Sequence, residues 1–289
     1  MSRATLIVNP FASRVTEERV RAVERVLAPA ETLLTEQRGH AVELARGVRG
    51  DTVYVYGGDG VYNEVLNGVD GRVALGFVPG GAANVLPRAL GLPEDPLAAS
   101  RRLVARRTRR ISLGRVNGRR FAFSSGLGID ADAVRRVDAM GRGRDGRRPG
   151  DLAFVSAVVQ IMVAHRGRYQ LELELRAIGR AGLIFVSNSP VFTYLGPVPI
   201  RFSPLAGFEL GLDYAAPAWL GPGSLIWLLA RGALGLGLPG ARHVLSGHDV
   251  DRLEAVCSQP VPLQADGEDL GDVAEAVFEA ERDAVTVLV

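Results

Sequence analysis

The chain has 289 residues, a net charge of +2, 47% hydrophobic and 23% charged residues, and a single cysteine, Cys257. That is room for one large or two ordinary domains of a soluble globular protein, and it excludes a disulfide framework and a thiolate zinc cluster. All 34 basic residues are arginine, which excludes the lysine-bearing phosphate loop and the strand lysine of protein kinases, so any phosphate must be held by backbone N–H groups, arginines or a metal.

His40, His165, His243 and His248 show no metal-ligand spacing. The opening "MSRATLIVNP" reads as a strand rather than a secretory leader, so a cytoplasmic protein is expected. The near-neutral charge balance points to no nucleic-acid partner.

The first part alternates strand and helix. "ATLIV" (4–8) is a buried strand, and "TEERVRAVERVLA" (16–28) has helical apolar spacing with Thr16 as N-cap. "ETLLT" and "HAVELARGV" repeat the unit. "TVYVYG" and "VYNEVLNG" repeat it again, as do "VALGFVP" and "AANVLPRAL". "DPLAASRRLVARRT" continues as helix behind Asp95 and Pro96. This rhythm predicts a parallel sheet with helices on both faces. Near residue 111 the pattern changes. Asn117-Gly118 between two strand-like runs signals a hairpin. "YQLELELR", "GLIFVSNS", "VPLQADGED", "AVFEAE" and "AVTVLV" read as further, mostly antiparallel strands, with helices at about 151–165 and 218–237. The chain is therefore divided into 1–112, an α/β domain with a parallel sheet and glycine-rich loops, and 113–289, a mostly antiparallel β domain. "GRGRDGRRPG" (141–150) reads as a mobile surface loop.

Three loops at strand ends carry the chemistry. "GGDG" (57–60) follows a parallel strand and opens a helix, where open α/β sheets bind ligands. Its glycines let backbone N–H groups approach a phosphate, and the helix adds a positive dipole end. Asp59 would repel that phosphate unless a divalent cation lies between them. An isolated GGDG is equally a tight turn with a capping aspartate. A second turn, Gly80-Gly81, lies one strand later, and "VNPFAS" (8–13) ends the first strand with Asn9 available to a ligand. Two adjacent glycine turns suggest a phosphate cleft.

These motifs, in this order, resemble the diacylglycerol kinase catalytic family, the bacterial lipid kinases related to sphingosine and ceramide kinases. The likeness covers nearly the whole chain. The family's Asn-Pro start matches "NPFAS", its Gly-Gly-Asp-Gly-Thr and Asn-Glu-Val match "GGDGVYNEV", and its Pro-x-Gly-Thr-x-Asn turn matches "PGGAAN". Later, "GLGIDADAVRR", "NSPVFTYLGP" and "PLQADGEDLG" resemble its β-rich domain. The resemblance implies a two-domain fold with the active site in the interdomain cleft, and transfer of the γ-phosphate of ATP, with Mg2+, to a hydroxyl of diacylglycerol or a similar lipid. Carried over, Asn9, Pro10, Phe11, Ala12 and Ser13 line the nucleotide, and Thr35 contacts it. Gly57, Gly58, Asp59, Gly60, Val61, Asn63 and Glu64 cradle the phosphates, with Asp59 acting through the metal. Gly80, Gly81, Ala82 and Asn84 form the second turn. Glu268, or Asp266 beside it, is the general base at the acceptor hydroxyl.

The chain departs from the pattern at Val61 and Ala82, where the family has threonine, and at Val85, where many relatives have aspartate. The family's structural magnesium stretch reduces to Glu209 and Asp213 in "PLAGFELGLDY" (204–214), and no structural metal is expected there. Two other readings stay open: a kinase like those acting on NAD, which shares the GGDG loop, and a non-catalytic relative that binds nucleotide or lipid. The arginine runs at 101–110 and 135–148 are either solvated faces or a surface attracted to anionic lipid at the inner membrane face. "SLIWLLARGALGLGL" (224–238) reads as a packed helix, with membrane contact as the minority reading. A homodimer is left open.

Overall fold

The computed structural model describes residues 4–141 and 151–289. Most of the loop expected at 141–150 lies outside the described residues, as does part of the arginine run at 135–148. The chain divides into two compact units, Met1–Ser112 with Arg282–Val289, and Leu113–Glu281.

The first unit follows the alternation read from the sequence. Its elements are β1 (Ala4–Val8), α1 (Glu17–Leu27), β2 (Glu31–Leu34), α2 (His40–Gly47), β3 (Thr52–Gly57), α3 (Asp59–Gly68), β4 (Ala74–Pro79), α4 (Val85–Ala89), α5 (Pro96–Val104) and the start of β5 (Thr108–Val116). Thr16 caps α1 by accepting from Arg19 N, and Asp95 caps α5 by accepting from Ala98 N. The strands run parallel in the order β4-β3-β1-β2. β1 and β3 are buried along their whole length, because helices cover both faces: α1 packs with α5, and α2 with α3. The chain moves from β1 outward to β2, then crosses back to place β3 on the other side of β1. The helices after β1 and β3 therefore lie on opposite faces, which leaves a crevice at the carboxyl ends of these two strands.

The second unit continues with β6 (Arg119–Phe121), β7 (Ser124–Leu127), α6 (Ile129–Ala139), α7 (Asp151–Ala164), β8 (Leu173–Leu175), β9 (Gly179–Ala181), β10 (Ile184–Ser187), β11 (Thr193–Leu195), β12 (Val198–Ile200), β13 (Leu212–Pro217), α8 (Pro222–Ala233), β14 (Val244–Val250), β15 (Arg252–Ala265) and β16 (Glu268–Leu288). Its main sheet is antiparallel in the order β14-β13-β10-β7-β15-β16. The expected hairpin is there: Val116 pairs with Arg119, and Asn117 and Gly118 take φ of 47° and 87°, the left-handed values of a primed turn. One face of the sheet carries a core of aliphatic residues around Leu127, Leu212 and Leu263, and a second core joins α6, α7 and α8 around Tyr169, Phe185 and Phe202.

The division of the chain needs one correction. Residues 282–289, expected in the second domain, group with the first unit, because β16 is long enough to return there and pair in parallel with β4 at Thr286–Ala74 and Val287–Leu75. The three-residue strands β9, β11 and β12 were not read as strands, since so few residues carry too little alternation to register, and β13 and β14 were not read either. The helix read through 104–108 stops at Val104, and Thr108 starts β5.

Where α2 crosses α3, a Cβ added to Gly68 would lie 2.5 Å from the Val42 carbonyl oxygen and 2.7 Å from the Ala45 Cβ. Alanine there gains up to about 1 kcal/mol of helix propensity, but separating the two helices costs roughly 1–3 kcal/mol. Gly68→Ala is expected to lower stability in urea unfolding by about 1–2 kcal/mol.

Candidate active site

Three loops leave the carboxyl ends of β1, β3 and β4: residues 9–13, 57–60 and 80–84. Backbone bonds stitch them together. Asn9 N donates to Tyr56 O at 2.9 Å, Gly80 N to Gly57 O at 2.6 Å, and Arg14 N to Gly80 O at 2.9 Å. Gly58 and Gly81 touch backbone to backbone; a Cβ on Gly81 would fall 2.7 Å from the Gly58 Cα. Glycine at 81 lets the two loops share this space, and a Cβ on Gly58 would press against the Gly81 Cα at 3.2 Å. Asn9 closes its own turn, accepting from Phe11 N at 3.0 Å, and this leaves Pro10 and Phe11 exposed.

The two helices that start here end differently. α3 begins after Gly58, which brings no side-chain cap. The first-turn N–H groups of a helix have no carbonyl of their own to meet, and Gly58 supplies no side chain to meet them. α4 begins after Asn84, whose side chain instead closes the turn by accepting from Gly81 N at 2.8 Å and donating to Gly81 O at 2.9 Å. Its first N–H groups are met by Asp59: Val85 N reaches Oδ2 at 3.0 Å and Leu86 N reaches Oδ1 at 3.1 Å. Asp59 thus ties the first glycine loop to the second, a role the sequence reading did not assign. Below them, the buried Tyr62 phenol lies 2.6 Å from Gly57 O and 2.7 Å from Val78 O. Burial, with Asp59 nearby, holds its ionisation well above the usual range, so it remains a donor.

Other expected residues lie away from the loop tips. Val61 is buried, its Cγ1 against Gly57. Glu64 turns to α2, accepting from Gly39 N at 2.8 Å and Ala41 N at 3.1 Å, and Asn63 is buried where it accepts from Asn67 Nδ2 at 3.1 Å. Helical pitch carries both past the first turn of α3. Thr35 is buried, its N–H on Val8 O at 2.9 Å, while Ala82 is exposed.

In the second unit, Asp266 and Gly267 are the two-residue turn between β15 and β16, with φ of 50° and 74° and Ala265 opposite Glu268. The Asp266 carboxylate is buried and accepts from Ala122 N at 2.7 Å, Phe123 N at 2.9 Å and Ser124 N at 3.2 Å. It holds the irregular backbone between β6 and β7. Glu268 pairs through Oε2 with Arg119 at 2.8 Å. The turn is braced from below: Gly267 N donates to Gln264 Oε1 at 3.0 Å, and Gln264 Nε2 donates to Asp130 Oδ2 at 2.9 Å. Asp130 escaped the sequence reading. Its signal was an aspartate inside the apolar pattern "GLGIDADAV". Burial raises it to about 6, against the lowering hydrogen bond from Gln264, and its Oδ1 has no hydrogen-bond partner.

Among the described residues, no group of three histidine, cysteine, aspartate or glutamate side chains is arranged to hold a metal. Asp213, one of the two carboxylates left in the stretch 204–214, is buried against His248 Nδ1 at 2.8 Å and accepts from Asp249 N at 3.0 Å.

Residues 3–116 match the diacylglycerol kinase catalytic domain. The chain is 34% identical over 140 residues to a diacylglycerol kinase of Bacillus subtilis (strain 168), covering 44% of this chain and 46% of that protein. It is 32% identical over 130 residues to a diacylglycerol kinase of Staphylococcus saprophyticus, covering 41% and 43%. The chain spans about half the length of the curated relatives it matches. A crystal structure of a diacylglycerol kinase from Bacillus anthracis superposes with a TM-score of 0.71 at 19% identity, covering 99% of this chain and 96% of that one. An NAD kinase from Archaeoglobus fulgidus in complex with ATP superposes with a TM-score of 0.50 at 11% identity, covering 99% and 93%. The family resemblance read from the sequence is borne out, by a match that reaches residues 3–116, and so is the expected α/β plus antiparallel β architecture.

Asp130 makes stability depend on pH. Because its folded value is raised from 3.8 to about 6, its favourable contribution is complete below the unfolded value and is lost as pH rises through about 6, a swing of about 3 kcal/mol. Asp130→Asn keeps an acceptor for Gln264 and removes the ionisation. Relative to the parent, the variant is expected to gain roughly 2–3 kcal/mol between pH 4 and pH 8 in urea unfolding; a difference independent of pH would remove Asp130 as the cause.

Proposed function

We propose that this chain, whose residues 3–116 match the diacylglycerol kinase catalytic domain, transfers the γ-phosphate of ATP to a hydroxyl of diacylglycerol or a similar lipid. The observation that carries the reading is the pair of helix starts at the strand ends. α4 is closed by Asp59, while α3 begins behind a glycine that offers no cap. A helix N-terminus that takes no side-chain cap from Gly58, beside two touching glycine turns at the switch point of a parallel sheet, suits the phosphates of a nucleotide.

In this reading Gly58, Gly60 and Val61 present backbone N–H groups to the phosphates, and the Asn9–Ser13 loop borders the nucleotide. Both Asp59 oxygens already accept from α4, yet a carboxylate oxygen keeps a second lone pair. That fits a magnesium ion brought in with ATP, which binds through one or two carboxylates plus phosphate oxygens and water, rather than a resident caged ion. Magnesium bound there would neutralise charge developing on the phosphates. Glu268 takes the proton from the acceptor hydroxyl as its oxygen bonds to the γ-phosphorus and ADP leaves. Asp266 is the positioning residue, because its carboxylate is taken up by three backbone N–H groups. A lipid acceptor lies in a bilayer, so the reading includes peripheral contact with an anionic membrane surface from the cytoplasmic side. Among the described residues, no helix is long and apolar enough to cross a membrane.

Incubation with Mg-ATP and a panel of lipid alcohols tests the reading directly; no ATP binding and no phosphorylated lipid would favour a non-catalytic relative. Given activity, Glu268→Gln should bind ATP normally and lose at least about a hundredfold in transfer. Asp266→Asn should instead lose about 1.5–3 kcal/mol of stability, from weakened charge-assisted bonds. A stable, inactive Asp266→Asn with a fully active Glu268→Gln would reverse the two assignments.

Val61 and Ala82 remove two hydroxyls that relatives carry in these loops. A hydrogen bond to a charged group is worth about 1.5–3 kcal/mol. Val61→Thr, alone or with Ala82→Thr, is expected to tighten Mg-ATP binding or raise kcat/KM by about tenfold or more. Calorimetry and steady-state kinetics measure both, and a parent that binds no nucleotide and is rescued by neither threonine would overturn the reading.

A further inference from the structure

The second unit leaves a broad apolar surface uncovered. α7 is apolar on every side but for Ser156 and Gln160 among its described side chains. Its Ala157, Ile161 and Met162 enter the core, while Val155, Val159 and Val163, four residues apart, stand 46%, 55% and 73% exposed. α8 repeats this: Leu228 is buried and Ile226 is 70% exposed, followed by the exposed Leu234 and Leu236. The two helices share one core, and the turns beside them are joined, Tyr169 N to Leu220 O at 2.7 Å and Leu220 N to Tyr169 O at 2.8 Å. A soluble helix that is apolar all round is normally buried; here half of each is not.

Charge decides what covers this surface. The chain has 32 acidic residues, yet none falls in 152–171, 188–208 or 214–248, the stretches that hold α7 after its first residue, Asp151, together with β11, β12, α8 and their turns. Arginines are present. Arg168 stacks over Trp219 at 5.1 Å, and Arg231 over Trp227 at 5.0 Å, with both indoles about two-fifths exposed. Arg166 and Arg242 are exposed on neighbouring turns. A symmetric pairing of two copies sets a face against itself, and here arginine would meet arginine across stretches that hold no carboxylate. An anionic bilayer supplies the negative charge, accepts the aliphatic side chains, and suits arginine-stacked tryptophan at the headgroup level. By contrast, several arginines in the runs first considered for lipid are tied within the protein. Arg106 is bonded to Thr52, Arg110 to Thr286 and the Asp283 carbonyl, and Arg135 to Asp269 and Asp272.

We propose that the outer faces of α7 and α8, with Trp219 and Trp227, form a docking surface for an anionic lipid bilayer. The aliphatic side chains enter the acyl boundary, and the indole–arginine pairs sit among the headgroups. Its use by the protein rests on the lipid kinase reading, but docking is measured without nucleotide, so either can fail alone. The chain's two tryptophans both lie on this face, so intrinsic fluorescence reports it. Vesicles of phosphatidylcholine containing phosphatidylglycerol should shift the emission to shorter wavelength, and acyl-brominated lipid should quench it, with much weaker effects for phosphatidylcholine alone. Val159→Asp and Ile226→Asp should each lower vesicle partition by roughly tenfold with unchanged circular dichroism. Should either variant fold poorly, quenching of the parent decides. No shift or quenching with anionic vesicles overturns the proposal. So does undiminished binding by both folded variants, or a parent dimer that the variants dissociate while neither protein binds vesicles.

Discussion

Much of the first unit's loop geometry follows from one contact, the backbone of Gly58 against the backbone of Gly81. Neighbouring parallel strands lie about 4.8 Å apart, so turns leaving β3 and β4 side by side collide unless side chains are absent. With glycine on both sides, the turns close on each other and Gly80 N meets Gly57 O at 2.6 Å. That closure brings Asp59 within reach of the start of α4 and sets the Tyr62 phenol under the carbonyls of Gly57 and Val78. The result is a rigid rim built of backbone, whose N–H groups do not depend on side-chain identity. On the proposed reading, valine at 61 and alanine at 82 would weaken the phosphate site without dismantling it.

The second unit positions its carboxylates by a different means. Asp130, Gln264, Asp266 and the turn at Gly267 form a buried polar chain, and buried polar groups persist when they are hydrogen-bonded. Asp266 serves three N–H groups where β6 passes into β7, so the turn cannot swing. Glu268, one residue farther, inherits that fixed position and meets Arg119. On the proposed reading, Glu268 placed just beyond a braced turn on a long strand would gain precision from the residues that brace it.

The arginines divide into two populations. Some close the fold, as where Arg115 and Arg120 converge on Glu281 and hold its carboxyl below the ordinary value through their hydrogen bonds. Others, such as Arg168 and Arg231, are received by tryptophan rings, the Gln170 side chain and backbone carbonyls. A net charge of +2 conceals this difference, because the sum is taken over both populations.

The sequence by itself determined the alternation of strands and helices to residue 104, the hairpin at Asn117-Gly118, and the three strand-end loops. Each rests on local chemistry, apolar periodicity or turn residues, that neighbours in the chain can read. Their order also carried the family resemblance. What it did not contain was the partner of each polar side chain. Asp59 looked like a metal ligand and is also the cap of another helix; Glu64 looked like part of a phosphate loop and caps α2; Asp266 and Glu268 looked interchangeable and occupy different surroundings. Asp130 drew no notice, because its largest perturbation, burial, comes from the packed structure and leaves no mark in its neighbours along the chain. Tertiary structure alone decided that the last eight residues return to the first unit, since a long strand carries no mark of where along its length its neighbours change. It likewise decided that the apolar helices at 151–164 and 222–233 keep one side bare, since periodicity reports which residues are apolar and only packing settles which of them are covered.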